Sequence, residues 1–341
     1  MAGSGGDGVF LYDVLANEQD KPGFDDVINP IVEAALVQKL AVWLALRPAG
    51  SGFPTVDPAT YLYLPNWDFR DLRTDPIERY VIYKDSPSAT TQEIGYLQPG
   101  GGITVINNTA NLPDGFDGLL LKGIGRSHND GLLYGIDPNG TDPLGVNMYQ
   151  IDGTEQVLPN MGFGGQVMRL GTVTGIPLGA DITAGDVHPD GKSYFCYDQS
   201  AAALYEVELR NLVASRVAIS GSRLPTKSSV RDLAFDSNGD ILAMEERSHQ
   251  VFKLAMQPDG SGILSFFPFQ FPGLRQCGAA WVDASDNLLV YCEGGAPSKS
   301  PRVASPQAGL YQLNLSTGSV QLISEGSVLY DADGAGTPTG P

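Results

Sequence analysis

Six carboxylates recur at one position of a repeated phrase. Asp13, Asp85, Asp137, Asp198, Glu246 and Glu293 each close a short alternating apolar run. Alternation of this kind reads as a half-buried strand. If the runs are equivalent, their ends share one face, and that face carries a circle of negative charge. Carboxylates converging among oxygen-rich loops are what Ca²⁺ prefers. The competing reading is that each acid caps its own loop by accepting backbone amides. A second polar set stands at the starts of the preceding runs: Asp117, Asp181, Asp186, Arg231, Asp232, Arg275 and Gln276. From the two sets, the expected ligand-binding residues are Asp186, Arg231, Asp232, Arg275 and Gln276, with Glu246 and Glu293 at the rim. For a metal, the candidates are Asp186, Asp232 and Asp198.

Other chemistry has less support. His128 opens HNDG and His188 opens HPDG, where Asp236, Asp283 and Asp331 open DSNG, DASD and DADG. A side chain in that slot accepts a hydrogen bond from the turn backbone two residues on. Both histidines therefore read as turn residues. His249 alone sits in a different loop, so a Ser-His-Asp system has little to stand on. The Gly-rich runs at 100–102 and 162–165 neither follow a strand nor open a helix, which argues against a phosphate loop.

The carboxylates need elements to position them. GDVHPDGKSYFCYD, RDLAFDSNGDILAMEE and GAAWVDASDNLLVYCE repeat one strand–turn–strand phrase. The turn glycines Gly191 and Gly239 are 48 residues apart, and Asp286 follows 47 later at the same turn position. A repeat of this length without helical periodicity is the signature of a β-propeller blade, four antiparallel strands running from A at the axis to D at the rim. A strands line the channel, and their starts share a face with the B-strand ends. That is the face of the B–C and D–A loops.

The expected fold is all-β: a single six-bladed propeller domain over 1–341. Blade 1 joins 327–334 to 8–48, closing the ring by pairing N- and C-terminal strands. Blades 2 to 6 span 59–108, 115–172, 181–220, 229–270 and 276–323. The closure rests on SVLYDADG, an A strand with no B strand after it, and DGVFLYD, a B strand with no A strand before it. Joining them removes a free sheet edge. YLYLPNWD is expected as the A strand of blade 2. Asn29-Pro30 followed by Ile31, Ala35 and Leu36 predicts one short helix inserted at the B–C loop of blade 1.

The hairpin turn of the last blade pairs Asp283 with Asp286, an index sum of 569, and Cys277 with Cys292 gives the same sum. The two cysteines should stand opposite one another, about 4.5–5.5 Å apart at Cα, within disulfide reach. A bridge would mean an oxidising compartment. Cys196 is left over and reads as a buried thiol.

HPDGKSYF, FDSNGDIL and the C-strand phrases LYEVEL, VFKL and GLYQLNLSTGSV resemble six-bladed propellers of the NHL and SMP-30/gluconolactonase kind. The resemblance is one of blades, strongest from about Asp181 onward. SMP-30-like lactonases hold one divalent cation in the channel, but their ligands find no residue-by-residue match here. Blade likeness does not fix activity.

The net charge is −18 with 39 acidic residues. Such a surface repels nucleic acid and anionic membrane. It suits a small molecule, a sugar, a cation or a basic protein partner. No apolar run is long enough and free enough of charge to predict membrane insertion. The resulting expectation is an extracellular, non-catalytic ligand-binding or scaffold propeller that binds on the B–C/D–A face. The alternative is a metal-dependent, Ca-type hydrolase or lyase, such as a lactonase, with the cation as Lewis acid in the channel.

Overall fold

In a computed structural model, the described residues are 79–98, 101–108, 119–127, 131–138, 145–151, 167–225, 230–271, 274–283, 285–293 and 307–336. The unit Asp68–Pro341 holds every described strand. Strands β1 (Arg79–Lys84), β2 (Glu93–Leu97) and β3 (Ile103–Asn108) begin one sheet. β4 (Lys122–Arg126), β5 (Leu133–Asp137), β6 (Val146–Ile151) and β7 (Val167–Val173) form the next. β8 (Ile182–Val187), β9 (Ser193–Asp198), β10 (Ala203–Glu208) and β11 (Val213–Arg216) form a third. After β12 (Ile219–Gly221) come β13 (Val230–Phe235), β14 (Ile241–Glu245), β15 (Gln250–Met256) and β16 (Gly262–Gln270). β17 (Cys277–Val282), β18 (Leu288–Cys292), β19 (Gly309–Asn314) and β20 (Ser319–Glu325) complete a fifth sheet, and β21 (Tyr330–Gly336) returns to β1.

The inner strands pack side by side in the order β21, β4, β8, β13, β17 and back to β21. The described strands therefore form a five-bladed propeller. This corrects the expectation of six blades. β21 is hydrogen-bonded to β1, with Arg79 opposite Gly336 and Val81 opposite Gly334. It takes the A position that YLYLPNWD was expected to fill, so the tail and the 79–108 segment belong to one blade. The segment YLYLPNWD, the expected partner strand Val9–Tyr12, Asp13 and the inserted helix all lie outside the described residues. Among the described residues there is no helix.

Two register details depart from the sequence pattern. DADG is not a turn: β21 runs on to Gly336, and Asp331 stands near its start. Ile219, expected to close the third sheet, leaves it. β12 pairs in parallel with β16 and becomes the edge of the fourth sheet.

Apolar residues of facing sheets interlock between blades. Leu242, Met244 and Val251 pack with Leu288, Val290 and Leu313, all buried. Each such side chain contributes about 1.5–3 kcal/mol when fully buried. Repeated turns hold the A–B hairpins. Asp236 Oδ1 accepts the amides of Asn238 (2.9 Å) and Asp240 (3.0 Å), and Asp283 Oδ1 those of Ser285 (2.8 Å) and Asn287 (3.0 Å). His188 Nδ1 occupies the same slot, accepting from the Asp190 amide at 3.3 Å. His128 lies outside the described residues.

Cys277 and Cys292 are joined as a disulfide. Ala279 to Val282 pair with Tyr291 to Leu288, one step beyond the register inferred from the turn. A β-bulge between Cys277 and Ala279 then restores the two cysteines to opposition.

Candidate functional site

All five inner strands carry a register shift against their B strand near the starting end. The shifts fall at Ile182/Ala184, Val230/Leu233, Cys277/Ala279 and Lys122/Gly125, and opposite β21 at Ile82/Lys84. Bulges re-aim side chains and gather at the rims of closed sheets. Gln276 and Asp331 also adopt positive φ, 48° and 47°, a conformation that costs a non-glycine residue free energy and is found at sites where it serves a purpose.

These irregular starts meet the B-strand ends in one charged network at the mouth of the ring. Lys84 Nζ pairs with Asp331 at 2.9 Å. Arg231 Nε donates to Glu246 Oε2 at 3.3 Å, and the Gln276 backbone N–H donates to Glu246 Oε1 at 3.1 Å, linking the fourth and fifth sheets. Burial raises the Glu293 pKa, and the neighbouring Asp331 and Glu246 charges add to the rise while Arg231 opposes it. Burial also pushes Asp331 upward, but the Lys84 hydrogen bond and the charges of Lys122, Lys84 and Arg231 outweigh it and hold the carboxyl below its ordinary range. Arg275 is exposed beside Gln276.

Beneath the mouth the inner strands carry three buried acids, Asp186, Asp232 and Asp333. Asp186 Oδ1 accepts its neighbour Val187's amide (2.8 Å), and Oδ2 accepts that of Phe235 on β13 (3.3 Å). Asp232 Oδ2 accepts Ala280 of β17 (2.6 Å) and Gly334 of β21 (2.9 Å), while Oδ1 accepts Leu233 (2.8 Å). Asp333 binds the amides of Gly123 on β4 and Gly334. Each acid thus ties neighbouring inner strands together. Burial raises the pKa of all three, and the neighbouring Asp333 charge adds to the rise at Asp232. Tyr194 donates its hydroxyl to Gly123 O from below.

Of the sequence-derived set, the structure brings Arg231, Gln276, Glu246 and Glu293 together at the mouth. Asp186 and Asp232 lie deeper, turned to backbone amides. Asp198 stands apart: it is buried and caps its own loop, accepting the amides of Asp181 (3.1 Å), Ser200 (2.9 Å) and Ala201 (3.3 Å) and the Ser200 hydroxyl (2.7 Å). Asp186, Asp232 and Asp198 do not converge on one point, and their oxygens are engaged by donors. They do not fit a shared Ca²⁺. Among the described residues no three His, Cys, Asp or Glu side chains are grouped to hold a metal. Sequence reasoning missed Lys84, Lys122, Asp331 and Asp333. The signal for Asp333 was the second acid of DADG, hidden by reading that phrase as a turn.

A family model described as "Repeat of unknown function (DUF6923)" matches residues 122–296, just over half of the 341-residue chain. The chain belongs to the DUF6923 family. The matched stretch of this DUF6923 chain begins at β4 and takes in four of the five inner strands, with Arg231, Asp232, Glu246 and Glu293. No curated protein matches it. Solved structures similar to the DUF6923 chain include a Lactobacillus plantarum protein (14% identity, 74% of this chain and 70% of that chain covered, TM-score 0.41). A calcium-binding protein, regucalcin, from Agrobacterium tumefaciens matches at 19% identity, covering 72% and 78%, with TM-score 0.38. A virginiamycin B lyase from Staphylococcus aureus, solved with quinupristin, matches at 11%, covering 74% and 86%, with TM-score 0.38.

Proposed function

We propose that this chain is an extracellular, non-catalytic ligand-binding propeller, with its site on the B–C/D–A face at the axial mouth. The observation that carries the reading is the convergence of Arg231, Glu246, Gln276, Glu293, Lys84 and Asp331 at one end of the inner strands. Carboxylates of Glu246, Glu293 and Asp331 favour a ligand offering hydrogen-bond donors or positive charge, such as a sugar or a basic peptide. The net charge of −18 steers such a partner inward and disfavours nucleic acid and anionic membrane. Among the described residues no helix is long and apolar enough to cross a membrane. The Cys277–Cys292 disulfide supports an oxidising compartment.

The test is a binding screen of neutral oligosaccharides and lysine-rich hexapeptides against wild type and Glu293→Gln. A member of either class should bind wild type, and the variant should weaken it several-fold. No binding by either class, or equal binding by the variant, counts against the reading.

A further inference from the structure

We propose a second binding site, for a small aliphatic carboxylate, in a cleft on the outer strands between the third and fourth sheets. The cleft has a volume of about 700 Å³, within the usual size of small-molecule sites. Its origin is the change of sheet described above. β11 ends at Arg216 paired with β10, and three residues later β12 is paired with β16. Val217 still donates its amide to Leu204 O (2.9 Å), whereas the next carbonyl, Ala218 O, accepts from Gly262 of the neighbouring sheet (2.8 Å). Two residues cannot fill the wedge between sheets that part at this point.

The lining has two chemistries. Leu204 and Val217 are buried and give an apolar floor. Arg216 and Arg223 stand exposed at the rim. Among the described residues no acid lines the cleft, although the chain has 39 acidic residues against 21 basic ones. Three other cations are partnered: Lys84 with Asp331, Arg231 with Glu246, and Lys253 with both Asp236 and Asp240. Among the described residues neither Arg216 nor Arg223 has an ion pair. A guanidinium's planar fork matches a carboxylate. An apolar floor beneath two such forks selects a carboxylate carrying a short hydrocarbon body over a bare oxyanion.

Calorimetric titration with hexanoate, hexanol and inorganic phosphate tests this. Hexanoate should bind saturably, with hexanol and phosphate each about tenfold weaker or worse, as loss of a charge-assisted contact or of the apolar contact requires. Arg216→Ala with Arg223→Ala should reduce hexanoate affinity about tenfold or more. Arg210→Ala removes an exposed arginine that does not line the cleft and should change nothing. Ala218→Trp should block the cleft without altering its charge. Circular dichroism melts establish that each variant is folded. Hexanol or phosphate binding as well as hexanoate overturns the assignment. So does retention of affinity in the double variant or in Ala218→Trp, or an equal loss in Arg210→Ala.

Discussion

The amide of Gly334 is shared between two buried carboxyl groups, Asp232 Oδ2 at 2.9 Å and Asp333 Oδ1 at 3.0 Å, which sets the two acids side by side. Two neighbouring carboxylates repel when both are ionised, which together with burial raises the Asp232 pKa. β13, β17, β21 and β4 all meet through this pair.

The pair makes stability depend on pH with a definite sign. Burial raises the folded pKa of Asp232, Asp333 and Asp186 above their unfolded values. The native state therefore holds protons that the unfolded chain has released. The stabilisation is fully present below the unfolded pKa of about 4 and is lost as pH rises through the folded values. The melting temperature should fall as pH is raised from 5 to 8. Asp331 and Asp283 have lowered values and act below that window. Asp333→Asn should flatten the slope. Its amide can donate to Asp232 while its carbonyl accepts from Gly123, and the Gly334 amide keeps Asp232 as acceptor. Asp333→Ala leaves the Gly123 amide without its acceptor and should cost about 2–4 kcal/mol. Thermal melts of the three proteins across pH decide the matter, and an unchanged slope in Asp333→Asn would exclude this origin.

Arg231 and Asp232 are adjacent in sequence but should behave differently. Arg231 is partly exposed, and its 3.3 Å pair with Glu246 is worth at most about 1 kcal/mol. Arg231→Ala should weaken ligand binding with little change in melting temperature. Asp232→Ala should lower stability by several kcal/mol, because the Ala280 and Leu233 amides lose this acceptor and Gly334 keeps only Asp333. Sequence position alone put both at the ligand. Denaturant titration beside a binding assay separates the two roles.

The blade phrase was legible because its determinants are local. Asp236 and Asp283 bond amides two and four residues on, so DSNG and DASD declare their hairpins. Arg231, Gln276, Glu246 and Glu293 could be placed at one face by strand direction alone. The blade count could not be read in the same way. β21 finds β1 across almost the whole described chain, and YLYLPNWD is locally as good a strand as the true partner. Asp333 was missed for the same reason. The index sum that pairs Cys277 with Cys292 holds in the structure only because the bulge at Ala279 offsets a turn one residue wider than inferred.

At Gly125 β4 runs tight against β8. A Cβ there would lie 2.3 Å from the Val187 amide nitrogen and 2.5 Å from Asp186 Cα, both backbone atoms that cannot swing aside. Gly125→Ala should destabilise by about 2–3 kcal/mol or more. A chemical-denaturation curve indistinguishable from wild type would mean that the inner strands are farther apart than described.

The three cysteines should separate cleanly by reactivity. Cys277 and Cys292 enclose a loop with a sequence separation of 15, and replacing both by Ser should cost about 2–3 kcal/mol. Cys196 is buried, and burial drives its thiol pKa upward. It should resist alkylation in the native state and react only on unfolding. Non-reducing peptide mapping should recover the 277–292 pair.

Chemical-shift mapping of a bound oligosaccharide or lysine-rich peptide tests the assignment of the face most directly. Perturbed amides should cluster at Arg231, Glu246, Gln276, Glu293 and Asp331, with the A–B turns at 236–240 and 283–287 unmoved. Perturbations concentrated on those turns, with the mouth residues silent, would contradict a binding site at the axial mouth.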